Sequence, residues 1–231
     1  MVRVNIKLCG LTRPGDIEAA NLLMPEYVGF VFVKNSKRYV SYRQAVALKK
    51  MLHPDIKAVG VFVDEDIRII RAMLKDGVID AVQLHGGEDD VYMEQLREMI
   101  DTRIIKAFRI AGQGDIALAE ASKADYVLLD SENGGTGKSF DWNLLSQIKR
   151  PYFLAGGLDA GNVRTAVARW HPYGVDVSSG IETKGFKDVD AGFCRSGEEL
   201  TGKPADGEEV LSVVDADVMK RTNRTINITC D

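Results

Sequence analysis

Short β-branched or apolar runs recur along the chain at intervals of roughly 22 to 30 residues, over 3–8, 27–33, 57–63, 81–85, 103–108, 126–130, 152–155 and 174–178. Each interval has room for one helix and two loops. The stretches between the runs carry helical spacing. In 65–75, Ile67, Ile70, Arg71 and Leu74 stack on one side, and Asp64 stands where an N-cap belongs. The same reasoning predicts helices over 16–23, 42–52, 90–100, 115–122, 141–148 and 160–170. Strands alternating with helices require a parallel sheet. Eight such units in 231 residues close naturally into a (β/α)8 TIM barrel. A doubly wound open sheet is the alternative, disfavoured because units of similar length leave no obvious second domain.

The eighth unit is irregular. After Gly185-Phe186-Lys187-Asp188, where a closing helix should begin, come Gly192, Gly197, Gly202, Pro204 and Gly207, which are poor helix formers. The barrel is therefore assigned to 1–188 and a divergent C-terminal segment to 189–231. Within that segment Val210, Val213, Val214 and Val218 form an apolar stripe over a possible displaced helix, 208–221, with Glu208 and Glu209 at its start and Lys220 and Arg221 at its end. From Asn223 onward a frayed tail is expected. A delayed closing helix predicts a weakened seam between the eighth strand and the first.

Composition narrows the partner. The chain is 45% hydrophobic and 28% charged, ordinary globular values, with a net charge of −4. A nucleic-acid binder that relies on a strong basic field is disfavoured, and a small molecule is the expected partner. No apolar run approaches bilayer-spanning length, no signal peptide opens the sequence, and a cytoplasmic location without membrane attachment is expected. Cys9, Cys194 and Cys230 are too few and too scattered for a disulfide framework or a zinc site, so free thiols and no metal are expected. The N-x-T sequons at Asn223 and Asn227 are read as chance.

Barrels of this type place their chemistry at the C-terminal ends of the strands. Alternation puts Asn5, Lys7 and Cys9 on one face of the first strand, Gln83 and His85 on one face of the fourth, and Leu128 and Asp130 on one face of the sixth. Cys9 reads either as a small buried thiol or as a nucleophile or base, partly exposed near cations that raise its thiolate fraction. Asp130 reads either as a loop-initiating carboxylate or as a general acid raised by apolar neighbours. Glycine-rich turns follow the last three strands: Gly134-Gly135-Thr136-Gly137-Lys138, Gly156-Gly157 and Ser178-Ser179-Gly180. The last two suit a phosphate cradle of backbone N–H groups and a helix N-terminus. Lys34, Lys37 and Arg38 form a basic turn after the second strand; Arg38 alternatively offers a planar fork for a carboxylate. His53 and His171, each before a proline, read as structural, which leaves His85 as the histidine in a plausible site.

These residues together resemble a known family. Lys7-Leu8-Cys9-Gly10-Leu11-Thr12, Gly29-Phe30-Val31-Phe32 with Ser36-Lys37-Arg38-Tyr39-Val40, Gly60-Val61-Phe62-Val63, Val82-Gln83-Leu84-His85-Gly86, Leu129-Asp130 with Gly134-Gly135-Thr136-Gly137 and Phe140-Asp141-Trp142, Ala155-Gly156-Gly157-Leu158 with Asn162-Val163, and Val175-Asp176-Val177-Ser178-Ser179-Gly180-Ile181-Glu182 are similar, in order, to phosphoribosylanthranilate isomerase of tryptophan biosynthesis. The resemblance covers about 1–188. It implies an Amadori rearrangement of a phosphorylated sugar–anthranilate substrate, needing no cofactor. It further implies Cys9 as general base, Asp130 as general acid, Arg38 on the anthranilate carboxylate, and Gly156, Gly157, Ser179 and Gly180 on the phosphate. Lys7, Gln83 and His85 line the same mouth without an assigned step. Two alternatives stay open: another phosphosugar barrel, such as an epimerase or an indole-glycerol-phosphate-type synthase, and a phosphate-binding barrel that has lost activity.

Overall fold

The computed structural model describes residues 4–131, 140–159, 161–183 and 186–187. Eight parallel strands close into a barrel in chain order: β1 (Asn5–Cys9), β2 (Tyr27–Val31), β3 (Lys57–Phe62), β4 (Ala81–Leu84), β5 (Ile104–Ile110), β6 (Tyr126–Ser131), β7 (Tyr152–Leu154) and β8 (Gly174–Val177). Helices α1 (Pro14–Leu23), α2 (Tyr42–Met51), α3 (Ile67–Lys75), α4 (Asp90–Met99), α5 (Gln113–Ala121) and α6 (Val163–Trp170) fill the crossovers. The expected strand rhythm and barrel are present. The seam is also closed, in register, by Asn5↔Gly174, Ile6↔Val175, Lys7↔Asp176 and Leu8↔Val177. The doubt about that closure is thereby answered: backbone pairing of β1 with β8 closes the barrel. The segment 189–231, its expected helix over 208–221 and the glycine turn 134–137 lie outside the described residues.

Helix starts follow local chemistry. Ser41 and Gln44 form a reciprocal capping box on α2, and the Asp89 side chain accepts from Tyr92 N on α4. The cap of α3 is Asp66, not Asp64: Asp66 Oδ1 accepts from Arg68 N at 2.8 Å, while Asp64 takes a left-handed φ of 49° two residues earlier. The helix expected over 141–148 is instead a 3-10 turn, Trp142–Gln147. There Asp141 accepts from Asn143 N and Ser146 Oγ donates to Asn143 O, local bonds that compete with the α pattern, and Pro151 follows. After β8 the chain makes a short 3-10 turn, Ser179–Ile181, then an antiparallel pair, β9 (Glu182–Thr183) and β10 (Phe186–Lys187).

Two cores result. Outward-facing strand residues such as Phe30, Phe62, Leu84 and Leu129 pack under the helices and are almost fully buried. Each such side chain contributes roughly 1.5–3 kcal/mol by leaving water. Inside the barrel, Val59, Ala81, Ile105, Leu128 and Phe153 form the filling layer. Below them Tyr126 and Tyr173 stack at 4.5 Å, with Phe153 edge-on to both. This aromatic floor shuts the N-terminal end. At the opposite mouth, Cys9, Asp130 and His85 stand at or just past the ends of their strands. No helix among the described residues is long and apolar enough to cross a membrane.

Candidate active site

Cys9 is the last residue of β1 and is 8% exposed. Directly beneath it on the same face is Lys7, fully buried, with Nζ donating to Asp176 Oδ1 of β8 at 2.9 Å. Gly29 of β2 makes the space. A Cβ there would stand 2.7 Å from Cys9 Sγ and 3.3 Å from Lys7 Nζ, so both atoms crowd against the same glycine. Burial pushes the Cys9 thiol up, the Asp176 charge adds to this, and Lys7 and Lys187 pull down without reversing it. The expectation of a partly exposed cysteine with an enriched thiolate is therefore corrected: cations are present, but desolvation dominates and the resting form is the thiol. Burial lowers Lys7, yet Asp176 and Cys9 outweigh it and hold the ammonium charged.

Asp130 rises from β6. Its Oδ1 accepts from Ser131 N at 2.8 Å, and its Oδ2 faces His85 Nε2 at 3.7 Å. His85, just past β4, meets Gln83 through Nδ1 at 2.9 Å. With the Gln83 amide nitrogen donating, Nδ1 accepts and the ring proton sits on Nε2, toward Asp130. The other end of that buried amide, Oε1, has no partner among the described residues. Gly156 closes over this group with φ 80°; a Cβ there would lie 2.6 Å from Ser131 N and 2.8 Å from Asp130 Oδ1. Only glycine lets the turn after β7 rest on the carboxylate.

Arg38 reaches the mouth from the loop after β2, and its fork is occupied. Nε and Nη2 donate to the two carboxylate oxygens of Glu182 at 2.7 and 3.0 Å. Lys187 adds a third donor to Glu182 at 2.9 Å and also donates to Ser178 O at 2.6 Å. Burial alone would raise Glu182, but Arg38 and Lys187 hold it below the usual carboxylate range. Sequence reasoning quoted Glu182 in a motif yet missed its role; the signal was a carboxylate directly after a glycine turn at a strand end. Gly10, with φ 81°, lies under the Arg38 stem, where a Cβ would meet Cδ at 2.3 Å. A pocket of about 120 Å³ opens between Gly10, Arg38, Glu182 and Lys187.

The loops after β7 and β8 touch. Gly157 has φ 69° and its carbonyl accepts from Asn162 Nδ2 at 2.7 Å, which fixes the turn into α6. Gly180 is so close to the neighbouring loop that a Cβ would lie 2.0 Å from Leu158 O. Ser179 opens the 3-10 turn, and Ser178 Oγ donates to Cys9 O at 3.1 Å, tying this loop to the end of β1. The four residues expected at a phosphate thus lie on two touching loops beside Cys9. A larger cavity, about 570 Å³, opens over β4 and β5 and is lined by His85, Lys106 and Arg109. Lys106 is buried against Glu88 at 2.8 Å, a pair that the sequence reading did not single out.

The comparisons with known proteins agree with one another. The family model described as N-(5'-phosphoribosyl)anthranilate (PRA) isomerase matches residues 6–191. N-(5'-phosphoribosyl)anthranilate isomerase of Endomicrobium trichonymphae is 45% identical over 188 residues, covering 80% of this chain and 92% of the relative. The protein of that name from Acetivibrio thermocellus is 42% identical over 198 residues, with 80% and 90% covered. Among solved structures, phosphoribosyl anthranilate isomerase of Thermus thermophilus superposes with a TM-score of 0.75 at 28% identity, covering 85% of this chain and all of that one. A phosphoribosyl anthranilate isomerase in complex with reduced 1-(o-carboxyphenylamino)-1-deoxyribulose 5-phosphate gives 0.72 at 35%, with 81% and 94% covered. The barrel described above, closed in the same strand order and matched over nearly its whole length, belongs to the N-(5'-phosphoribosyl)anthranilate isomerase family.

Proposed function

We propose that the protein catalyses the Amadori rearrangement of N-(5′-phosphoribosyl)anthranilate to 1-(2-carboxyphenylamino)-1-deoxyribulose 5-phosphate, a step of tryptophan biosynthesis, by general acid and base catalysis. The observation that carries the reading is the convergence of Cys9 and Asp130 at one barrel mouth, beside two glycine loops and the Arg38 fork held by Glu182, in a chain of this family. Asp130, protonated, gives its proton to the furanose ring oxygen; the C1′–O bond breaks and the amine lone pair forms a C1′=N iminium. Cys9, as thiolate, takes the C2′ proton, and the electron pair left behind neutralises the iminium as a C1′=C2′ enolamine. C1′ then gains a proton while the C2′ hydroxyl loses one, leaving a ketone at C2′. The substrate neither gains nor loses protons overall. In taking the C2′ proton Cys9 returns to the thiol form, whose proton had first passed to solvent, and the Asp130 carboxylate takes one proton back from solvent, which closes the cycle.

The division of labour suits the two residue types, since one group must start protonated and the other must become ionised. Arg38 binds the anthranilate carboxylate through its fork, exchanging Glu182 for the substrate. Gly156, Gly157, Ser179 and Gly180 receive the phosphate on backbone N–H groups. Lys7, Gln83 and His85 line the mouth. The partner is this small molecule, with neither nucleic acid nor membrane, and the site of action is the cytoplasm. A fluorescence assay following loss of freshly made substrate tests the reading. Wild-type protein is expected to consume it, and Cys9→Ser and Asp130→Asn to lose at least about a hundredfold in kcat with little change in KM. Full turnover by either variant removes that residue from its role.

A further inference from the structure

We propose that Lys7 is a positioning residue of the reaction: its ammonium, anchored by Asp176, holds the sulfur of Cys9 and carries the compensating charge when that sulfur becomes an anion. The inference rests on the reading of Cys9 as the base. It starts from an ionic residue in a place where packing alone calls for an apolar one. The interior layer next to Lys7 is aliphatic and aromatic, yet Lys7 is fully buried within it. Burial of an ammonium is costly unless it is paired and its donors are used. Asp176 Oδ1 takes one of three donors at 2.9 Å, and the sulfur of Cys9 is the next group the ammonium serves. Since Cys9 follows two residues later on the same strand face, the barrel pleat itself aims the charge at the thiol.

Charge counting shows what the arrangement does. With Cys9 as thiol, Lys7 and Asp176 are neutral together. Ionisation of Cys9 leaves one excess negative charge, and Lys187 is the second cation that faces it. Lys187 is itself committed to Glu182, and Glu182 to Arg38. The mouth therefore tolerates a thiolate only while Lys7 stays charged. Asp176 sets the balance from the other side: it keeps Lys7 protonated, and its own charge opposes the thiolate. The pair keeps the resting cysteine as a thiol and stabilises the anion when the reaction demands it.

The test reads the sulfur directly. The rate of Cys9 alkylation by iodoacetamide, followed at that residue by peptide mass spectrometry, is measured against pH for wild type, Lys7→Met, Lys7→Arg and Asp176→Asn, beside the pH profile of kcat/KM. Loss of the ammonium in Lys7→Met is expected to move the alkylation midpoint up by more than about one pH unit. Its kcat should fall at least about a hundredfold while KM changes little. Lys7→Arg should restore the midpoint, and Asp176→Asn should move it down. An unmoved midpoint in Lys7→Met that melts cooperatively overturns the proposal. If Lys7→Met does not fold, Lys7→Gln, measured in the same way, decides: an upward displacement of the midpoint supports the proposal and an unmoved midpoint overturns it. Full turnover by Cys9→Ser would instead sink Cys9 as the base, an outcome separate from any alkylation shift.

Discussion

Arg38 and Glu182 close on each other across the barrel mouth in a two-pronged ion pair, at 2.7 and 3.0 Å, although 144 residues separate them. The arginine that is to receive a substrate carboxylate already holds a carboxylate of its own chain. On the proposed reading of Arg38, binding is an exchange, and only the fraction of molecules with the fork released accepts substrate. Glu182→Gln should lower KM by about threefold to tenfold as this self-competition weakens. Steady-state kinetics beside Arg38→Ala, in which KM should rise with kcat nearly unchanged, checks the assignment. An unchanged KM in Glu182→Gln would show that Glu182 does not compete.

Gly180 leaves no room for a side chain. An added Cβ would lie 2.0 Å from Leu158 O, a backbone atom that cannot swing aside, so Gly180→Ala must part the loops after β7 and β8. Phosphate binding should suffer most. We expect KM to rise by about tenfold or more with a smaller loss in kcat, since the contact is made equally in ground and transition states. Inhibition by inorganic phosphate should weaken in parallel.

Glu88 ties three strand ends together. It accepts from Lys106 Nζ, Asp64 N and Gly86 N, each at 2.8 Å. Burial pushes its carboxyl up, but these donors outweigh that and hold it below the ordinary value of 4.5. A depressed carboxyl stabilises the fold fully above that ordinary value, and the contribution disappears as pH falls through the lower folded value. Glu88→Gln should cost on the order of 3 kcal/mol at neutral pH by stranding Lys106. Urea melts between about pH 6 and pH 3 should then show a shallower loss of stability in the variant than in wild type.

Arg150 gathers the open end of α5. Its guanidinium donates to the carbonyls of Ala119, Glu120 and Ser122 and to that of Ala124 beyond. The last carbonyls of a helix lack its regular intrahelical donors, and Ala119 O has a backbone bond from the cap residue Ser122 N at 3.3 Å. Arg150→Ala should lower stability by about 1–3 kcal/mol, read by thermal or urea melts, and leave KM and kcat near wild type.

Most of the barrel was legible because parallel strands buried on both faces read as apolar runs: Val59 to Phe62 and Val127 to Leu129 are buried at nearly every position. The placement of Cys9 and Asp130 at one mouth was legible because strand ends in a barrel share that mouth. What escaped depended on register between distant strands. The pairing of Lys7 with Asp176 spans 169 residues, and that of Lys106 with Glu88 joins β5 to the loop after β4. Nothing in local pattern reports either. Asp64 and Asp66 offer equivalent caps two residues apart, and only the backbone's left-handed step at Asp64 chooses between them. The exposure of Cys9 was misjudged for a related reason: the side chains packed with it, Val31 and Val61, come from β2 and β3, not from its own strand.

The Lys7–Asp176 register also bears on how the chain reaches its closed form without joining another. Until β8 docks, β1 and the growing sheet are open edges, and an open edge is a template for pairing with a second nascent chain. An inward ammonium on β1 makes that edge a poor template for a copy of itself, because self-pairing in register would set like charges side by side. It favours the one strand that offers a carboxylate at the matching position. By that argument the pair is also a matching element of the closing register, in which the charge on the first strand fits the charge on the last strand of the same chain.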